Sequence, residues 1–237
     1  MPDNLPYIKI TKDGPYLLFG ADKISEKVIL TDENGISVKY GDGRVFEIRS
    51  DPVALCRCGK SKNAPFCDGG HASAEFDGTE TAPFEPIMRQ PGAEIMDGPQ
   101  QTLLDNRQYC AFARFCDRGG RVWSLVMQGG KAANELAAKE ANLCPAGRLL
   151  MFTNDGESLE EDAPPQVHVI EDGGLKISGP LWIRGGIRVE SASGRSYEVR
   201  QKQTLCRCGA SLNKPFCNGA HASLRWRAKT KTKTAGK

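Results

Sequence analysis

Residues 56–71 of the chain read CRCGKSKNAPFCDGGH, and residues 206–221 read CRCGASLNKPFCNGAH. We call these two segments motif 1 and motif 2. Both follow the pattern C-R-C-G-x-S-x-N-x-P-F-C-x-G-x-H, so three cysteines and one histidine recur at identical spacing. Six of the nine cysteines and two of the three histidines lie in the motifs. Because thiolate and imidazole bind soft and borderline metal ions, the sequence concentrates its metal-binding chemistry there.

The repeat extends beyond the motifs. Residues 14–20 (GPYLLFG) are similar to residues 179–185 (GPLWIRG), and residues 43–49 (GRVFEIR) are similar to residues 194–200 (GRSYEVR), with extra residues in the first copy between these blocks. Short β-branched and aromatic runs separated by Gly, Asp and Asn predict strands joined by tight turns. Each module alone has a small core and a sheet face to cover, so we expect the two to pack as an intramolecular pseudo-dimer.

A segment of different character separates the modules. Four prolines between residues 76 and 100 predict an extended linker. Apolar residues near helical spacing predict a helix over residues 101–118, and residues 121–127 predict a strand. Residues 131–142 are rich in Ala, Leu, Glu and Lys, which predicts a second helix. The middle segment is therefore expected to be small and to contain helices.

Charge and hydropathy exclude several classes of protein. The 32 basic and 29 acidic residues give a net charge of +3, which is too balanced to indicate a nucleic-acid-binding surface. The apolar runs are far shorter than a membrane span, and the first four residues show no feature of a secretion signal. We therefore expect a cytoplasmic protein with no membrane partner. In that reducing compartment, clustered cysteines bind metal more often than they form disulfides.

Each motif offers a complete set of metal ligands. Cys56 and Cys58 flank Arg57 in a turn ended by glycine, so both thiols can face one centre. Cys67 and His71 are four residues apart, which we expect to place them on one face of a helical turn that begins near Pro65. Three cysteines and one histidine are accepted by structural zinc and also by iron–sulfur clusters. Ligand type alone does not distinguish a zinc site from an iron–sulfur cluster.

The pattern C-x-C-x2-S-x3-P-x-C-[D/N]-G-x-H resembles the signature of the CDGSH iron–sulfur (NEET) family. Two such motifs around a middle segment, which contains YCAFARFC at residues 109–116 and CPAGR at residues 144–148, resemble the bacterial members with tandem motifs. The resemblance implies an α+β, mainly β fold in which two CDGSH-type modules form the pseudo-dimer. The predicted units are a first module at 1–80, the middle segment at 81–158, a second module at 159–228 and a disordered basic tail at 229–237.

The resemblance also implies one [2Fe-2S] cluster in each motif. One iron of the first cluster would be held by Cys56 and Cys58 and the other by Cys67 and His71. The corresponding ligands of the second cluster are Cys206, Cys208, Cys217 and His221.

Two residues of the motifs depart from the family pattern. Gly70 replaces the usual Ser, Ala or Thr, and Asn218 replaces the usual Asp, although Asn can still cap a helical turn.

The predicted function is electron transfer or iron–sulfur cluster transfer by a monomer with internal pseudo-two-fold symmetry, whose partner is a redox protein or a cluster acceptor. The chain shows no catalytic arrangement of residues, so we do not expect an enzyme. The alternative is a zinc-stapled scaffold for protein interaction. A third hypothesis, an enzymatic middle segment supplied with electrons by the clusters, requires a pocket or cofactor that the sequence does not show.

Four further residues of the same chemical types lie outside the motifs. His168 lies in an apparent strand, where we expect a structural role. The remaining cysteines could hold a third metal only with a fourth ligand from elsewhere, so buried or free thiols are the simpler interpretation. These cysteines are Cys110, Cys116 and Cys144.

Overall fold

A computed structural model describes residues 5–230 of the chain. The predicted tail at residues 229–237 therefore lies mostly outside the described residues, as do residues 1–4. Within the described part, no helix is both long and apolar enough to cross a bilayer.

The first module is a set of short strands that leads into motif 1. Buried side chains alternate with more exposed ones along Tyr7–Ile10 and Tyr16–Phe19, so each of these strands buries one face. A single helical turn contains the last two residues of the motif. The elements are β1 (Tyr7–Ile10), β2 (Tyr16–Phe19), β3 (Ile24–Thr31), β4 (Ser37–Phe46), β5 (Val53–Leu55) and α1 (Gly70–Ser73).

The middle segment forms a three-stranded antiparallel sheet, in the order β6-β7-β8, that packs against two helices around its own apolar core. Leu103, Val126, Ala137 and Met151 lie in this core and are almost fully buried. The elements are β6 (Ala93–Asp97), β7 (Gln101–Asn106), α2 (Val122–Gln128), α3 (Lys131–Leu143) and β8 (Leu149–Thr153).

Three of the local predictions for this segment are wrong. The linker expected over 76–100 contains a 3-10 turn at Ile87–Arg89 and the strand β6. The expected helix over 101–118 is the strand β7 followed by two short 3-10 turns, because its apolar residues enter three different cores: Leu103 in the middle segment, Tyr109 between the modules and Phe115 beside Trp182. The expected strand over 121–127 is the helix α2, which buries Val122, Leu125 and Val126 at helical spacing. The helix expected over 131–142 is confirmed as α3.

The second module repeats the first in shorter form. In both modules the strand from the Gly-Pro block pairs antiparallel with the strand that enters the motif, as Tyr16 with Leu55 and Leu181 with Leu205. The extra residues of the first copy form most of the β3–β4 hairpin. The elements are β9 (Gln166–Asp172), β10 (Ile177–Arg184), β11 (Arg188–Glu190), β12 (Lys202–Leu205) and α4 (Ala220–Ser223).

The two modules exchange strands. One sheet has the order β11-β1-β2-β5 and the other β12-β10-β9-β3-β4, so β11 pairs parallel with β1 and β3 pairs parallel with β9. Residues from both modules fill one shared core, including Ile8, Leu18, Val169 and Val189. The mainly β fold with two repeated modules is thereby confirmed, and the modules are joined by hydrogen-bonded strands as well as by side-chain packing.

The motifs meet where the repeated modules face each other. Cys58 and Cys208 form an antiparallel bridge. Next to them, Gly59 (φ +74) and Gly209 (φ +82) adopt left-handed backbone conformations, and a Cβ on either would collide with the carbonyl of the opposite cysteine. The Tyr16 hydroxyl of the first module also donates to Cys206 O at 2.9 Å in motif 2. The two ligand loops are therefore parts of one backbone junction.

We expect Gly59→Ala to destabilise the protein by roughly 2–5 kcal/mol, because a left-handed Ala costs about 1–2 kcal/mol and a steric collision about 1–3 kcal/mol. Gly35→Ala is the matched control, since Gly35 has φ +77 but a Cβ added there would have no atom within 4 Å. Urea unfolding followed by circular dichroism measures both. Equal destabilisation of the two variants would show that the junction between the motifs is loosely packed.

Candidate metal centres

The first arm of each motif presents two thiols to one point. Cys56 Sγ and Cys58 Sγ are 3.8 Å apart, and Cys206 Sγ and Cys208 Sγ are 3.7 Å apart. Two thiolates bound at about 2.3 Å to one tetrahedral ion lie about 3.8 Å apart. Both pairs therefore have the spacing of ligands that share one metal ion.

The arginine between the two cysteines points away from the thiols, as expected. Arg57 is 2% exposed and donates to the backbone carbonyls of Thr11 and Gly78. Arg207 is also 2% exposed, and it donates to Gly179 O and forms a 2.7 Å ion pair with Glu171. Each guanidinium fixes the turn against its own module and leaves the thiols free to bind a metal.

The second arm pairs a thiol with an imidazole. The distance from Cys67 Sγ to His71 Nδ1 is 3.4 Å, and the corresponding distance from Cys217 to His221 is 3.5 Å. The expected helical stacking is wrong, because the helical turn α1 begins at Gly70 and leaves Pro65 and Cys67 outside it. Gly69, with φ +83, reverses the chain between the two ligands. This left-handed turn brings them together.

Backbone amides surround the sulfur atoms with partial positive charge. Lys60 N donates to Cys58 Sγ at 3.5 Å, and Gly69 N donates to Cys67 Sγ at 3.5 Å. Asp68 holds this loop by accepting from Gly70 N at 3.1 Å. Asn218 does the same in motif 2, where it accepts from Ala220 N at 3.2 Å. The Asn therefore retains the turn-capping contact, and the amides favour anionic sulfur.

The first arm stabilises one thiolate even without metal. A hydrogen bond from the Cys58 thiol lowers the pKa of Cys56 to about 6, and Cys208 lowers the pKa of Cys206 to about 6 in the same way. Burial raises the pKa of the Cys67 thiol. A bound cation would offset this penalty, because metal ions bind cysteine as thiolate.

Each motif thus supplies two donor pairs. Within residues 5–230, no group of three or more His, Cys, Asp or Glu side chains surrounds a single metal position. Two pairs, each with the spacing of ligands on one ion, fit the donor set of a two-iron cluster, in which each iron takes two protein ligands.

Two of the three other cysteines, Cys110 and Cys144, lie near motif 2, which the sequence did not indicate. Cys110, Cys116 and Cys144 lie within electrostatic range of the buried Arg148, whose guanidinium forms a 3.4 Å ion pair with Asp105. Burial raises the pKa of Cys116 to about 12, so this thiol is protonated at neutral pH. Cys144 packs beside Cys217, against Ala111 and Ala146. All three cysteines are free thiols.

Comparison with family models matches residues 13–72 and 178–222 to the family described as iron-binding zinc finger, CDGSH type. Both matched regions contain a motif, and the middle segment lies between them. Neither the curated proteins nor the solved structures yield a significant match.

His168 lies in β9, where its Nδ1 hydrogen-bonds to Ser25 Oγ at 2.8 Å, away from both motifs. Burial, followed by the charges of Lys27 and Arg184, lowers the pKa of His168 to about 4. Its neutral form stabilises the fold above the unfolded pKa of about 6.5, and we expect at most about 3 kcal/mol to be lost as the pH falls from 6.5 to 4.

Replacement of His168 by Gln should flatten this part of the pH dependence of the melting temperature. The histidines of the motifs are present in both proteins, so the difference between the two curves isolates His168. If the melting temperatures of wild type and variant fall in parallel between pH 6.5 and 4, His168 is not the residue whose protonation destabilises the fold in this range.

Proposed function

Because the chain is a CDGSH-family protein whose two motifs flank a middle region, we propose that each motif binds one [2Fe-2S] cluster through three cysteines and one histidine. The observation that carries the proposal is the division of each motif into two donor pairs. Within each pair, the two donor atoms are 3.4–3.8 Å apart. The proposed ligands are Cys56, Cys58, Cys67 and His71 in motif 1 and Cys206, Cys208, Cys217 and His221 in motif 2.

The clusters would supply one-electron redox chemistry. The protein groups would hold and tune them: the thiolates provide negative ligands, and the amides of Lys60 and Gly69 offset charge on the sulfur atoms. His71 and His221 present Nδ1 to the third thiol of each motif, and this nitrogen must be deprotonated to bind iron. A neutral imidazole in place of a thiolate raises the reduction potential of such a centre.

We propose that the protein carries electrons or iron–sulfur clusters to a partner protein rather than acting as an enzyme. Two features support a monomer as the working unit. The repeated modules already face each other within one chain, and their strands are exchanged. The second copy of the module therefore occupies the place that a partner subunit would take in a dimer. We further propose that the protein works in the cytoplasm.

An ultraviolet–visible spectrum of the anaerobically purified protein, with iron, zinc and acid-labile sulfide measured on the same sample, tests the proposal. We expect sulfide-to-iron absorption with about four irons and four sulfides per chain. Cys67→Ser should lower both contents by about half, because it removes one ligand of one cluster. Cys116→Ser is the matched control and should leave them unchanged. A colourless protein that contains zinc would support the scaffold instead.

Acid should release the clusters, because protonation of a histidine removes its lone pair from the metal. We expect the visible absorption of the wild type to be lost increasingly as the solution is acidified. The double variant His71→Cys/His221→Cys should retain its absorption over the same range. His168→Gln is the histidine control and should be as acid-labile as the wild type. Equal acid lability of the double variant and the wild type would exclude histidine as the trigger.

A further inference from the structure

The two candidate sites have the same ligands but differ in the exposure of the Cys-His arm, whereas in the Cys-Arg-Cys arms Cys58 is buried and Cys208 is partly exposed. In motif 2, His221 is 4% exposed and Cys217 is 2% exposed. In motif 1, the corresponding His71 and Cys67 are both partly exposed. Since the spacing of the donors is nearly identical, the difference arises from what surrounds each motif.

The middle segment covers motif 2. A Cβ placed on Gly219 would lie 3.1 Å from the carbonyl oxygen of Cys110 and 3.7 Å from Cβ of Phe112. The equivalent Gly69 of motif 1 has nearly the same φ and no atom within 4 Å of such a Cβ. We call residues 110–112 the cap. Ala111 of the cap also packs against Cys217, so this segment closes one ligand loop and leaves the other open.

The rim of the open site is basic. Lys60 and Lys62 are exposed, and their ammonium groups form no ion pair or hydrogen bond within residues 5–230. Both line a depression of about 330 Å³ beside the loop that contains Asp68. Asp68 lines the same depression, so the rim carries two positive charges and one negative charge; the Asp68 carboxylate accepts from the backbone amides of Lys62 and Gly70 and forms no ion pair with either lysine among the described residues. Motif 2 has Ala210 and Leu212 at the equivalent positions.

We infer that motif 1 is the site at which this protein exchanges electrons with a partner, and that the partner docks through a carboxylate-rich surface on Lys60 and Lys62. Motif 2 is the enclosed site, separated from partners by the cap. The inference rests on the proposed function, because it requires a redox cluster in each motif. Unpaired lysines beside an open site attract an acidic surface and raise its rate of association.

Electron transfer to small charged oxidants tests both the greater exposure of motif 1 and the positive charge of its rim. The protein with both clusters reduced gives one electron per cluster to hexacyanoferrate(III), which becomes hexacyanoferrate(II). We expect two kinetic phases in stopped flow, a fast one from motif 1 and a slow one from motif 2. Cys67→Ser should retain only the slow phase. Phe112→Gly, which suits the left-handed backbone at φ 55, should accelerate the slow phase by removing part of the cap.

The charge of the rim is tested with Lys60→Glu/Lys62→Glu. At low ionic strength this variant should slow the fast phase with hexacyanoferrate(III) roughly tenfold. It should accelerate the same phase with the cation hexaammineruthenium(III). Poly-L-glutamate, a mimic of the acidic partner, should inhibit the fast phase of the wild type but not that of the variant. Ala210→Glu/Leu212→Glu is the matched control at motif 2 and should leave the fast phase unchanged.

The outcomes separate this inference from the proposed function. A protein without iron and sulfide refutes the proposed function and the inference with it. The assignment of an open and an enclosed site is refuted if the protein with both clusters reoxidises in a single phase. It is also refuted if Phe112→Gly leaves the rate of the slow phase unchanged. If the lysine variant and the motif 2 control change the rate of the fast phase equally, the acidic partner is refuted. The assignment of an open and an enclosed site is then still supported.

Discussion

The backbone contact between Cys58 and Cys208 is the constraint on which the arrangement of both sites depends. The two Cys-Arg-Cys-Gly turns cross so closely that each glycine lies against the carbonyl of the opposite cysteine. Only glycine combines the left-handed conformation with the absence of a Cβ, so Gly59 and Gly209 set the distance between the turns. A shift of one turn must move the other, and the ligands of the two motifs are held in a fixed relation.

Other contacts reinforce this junction in a reciprocal way. After each short helix the chain passes to the other motif, where Ala82 N donates to Lys214 O and Ala64 N donates to Lys229 O, both at 2.9 Å. The parallel pairings of β1 with β11 and β3 with β9 join the same two modules at sheet level. The buried arginines then fix each cysteine turn to its own module. The duplication therefore produces one body with two related sites.

The related sites have diverged through residues outside the ligand sets. Tyr16 of the first module donates to Cys206 O and Pro215 O, whereas the equivalent Leu181 has no such group to offer motif 1. The middle segment adds the cap on the same side, and its Cys144 packs beside Cys217. Burial keeps the Cys116 thiol protonated, which agrees with a packing role for this segment. Motif 2 is thus buried by contacts that motif 1 lacks.

The sequence by itself determined the repeat, the mainly β modules, the family and the helix α3, because these depend on residue type and short-range spacing. The donors of the candidate sites were also predicted from spacing, although the left-handed turn at Gly69 and not a helix brings Cys67 to His71. Only the tertiary structure decided that β7 is a strand and that the modules exchange strands. It also decided that one site is covered and the other open. The pairing of segments distant in the chain depends on the core in which each apolar side chain is buried. The local spacing of apolar residues does not indicate which core that is.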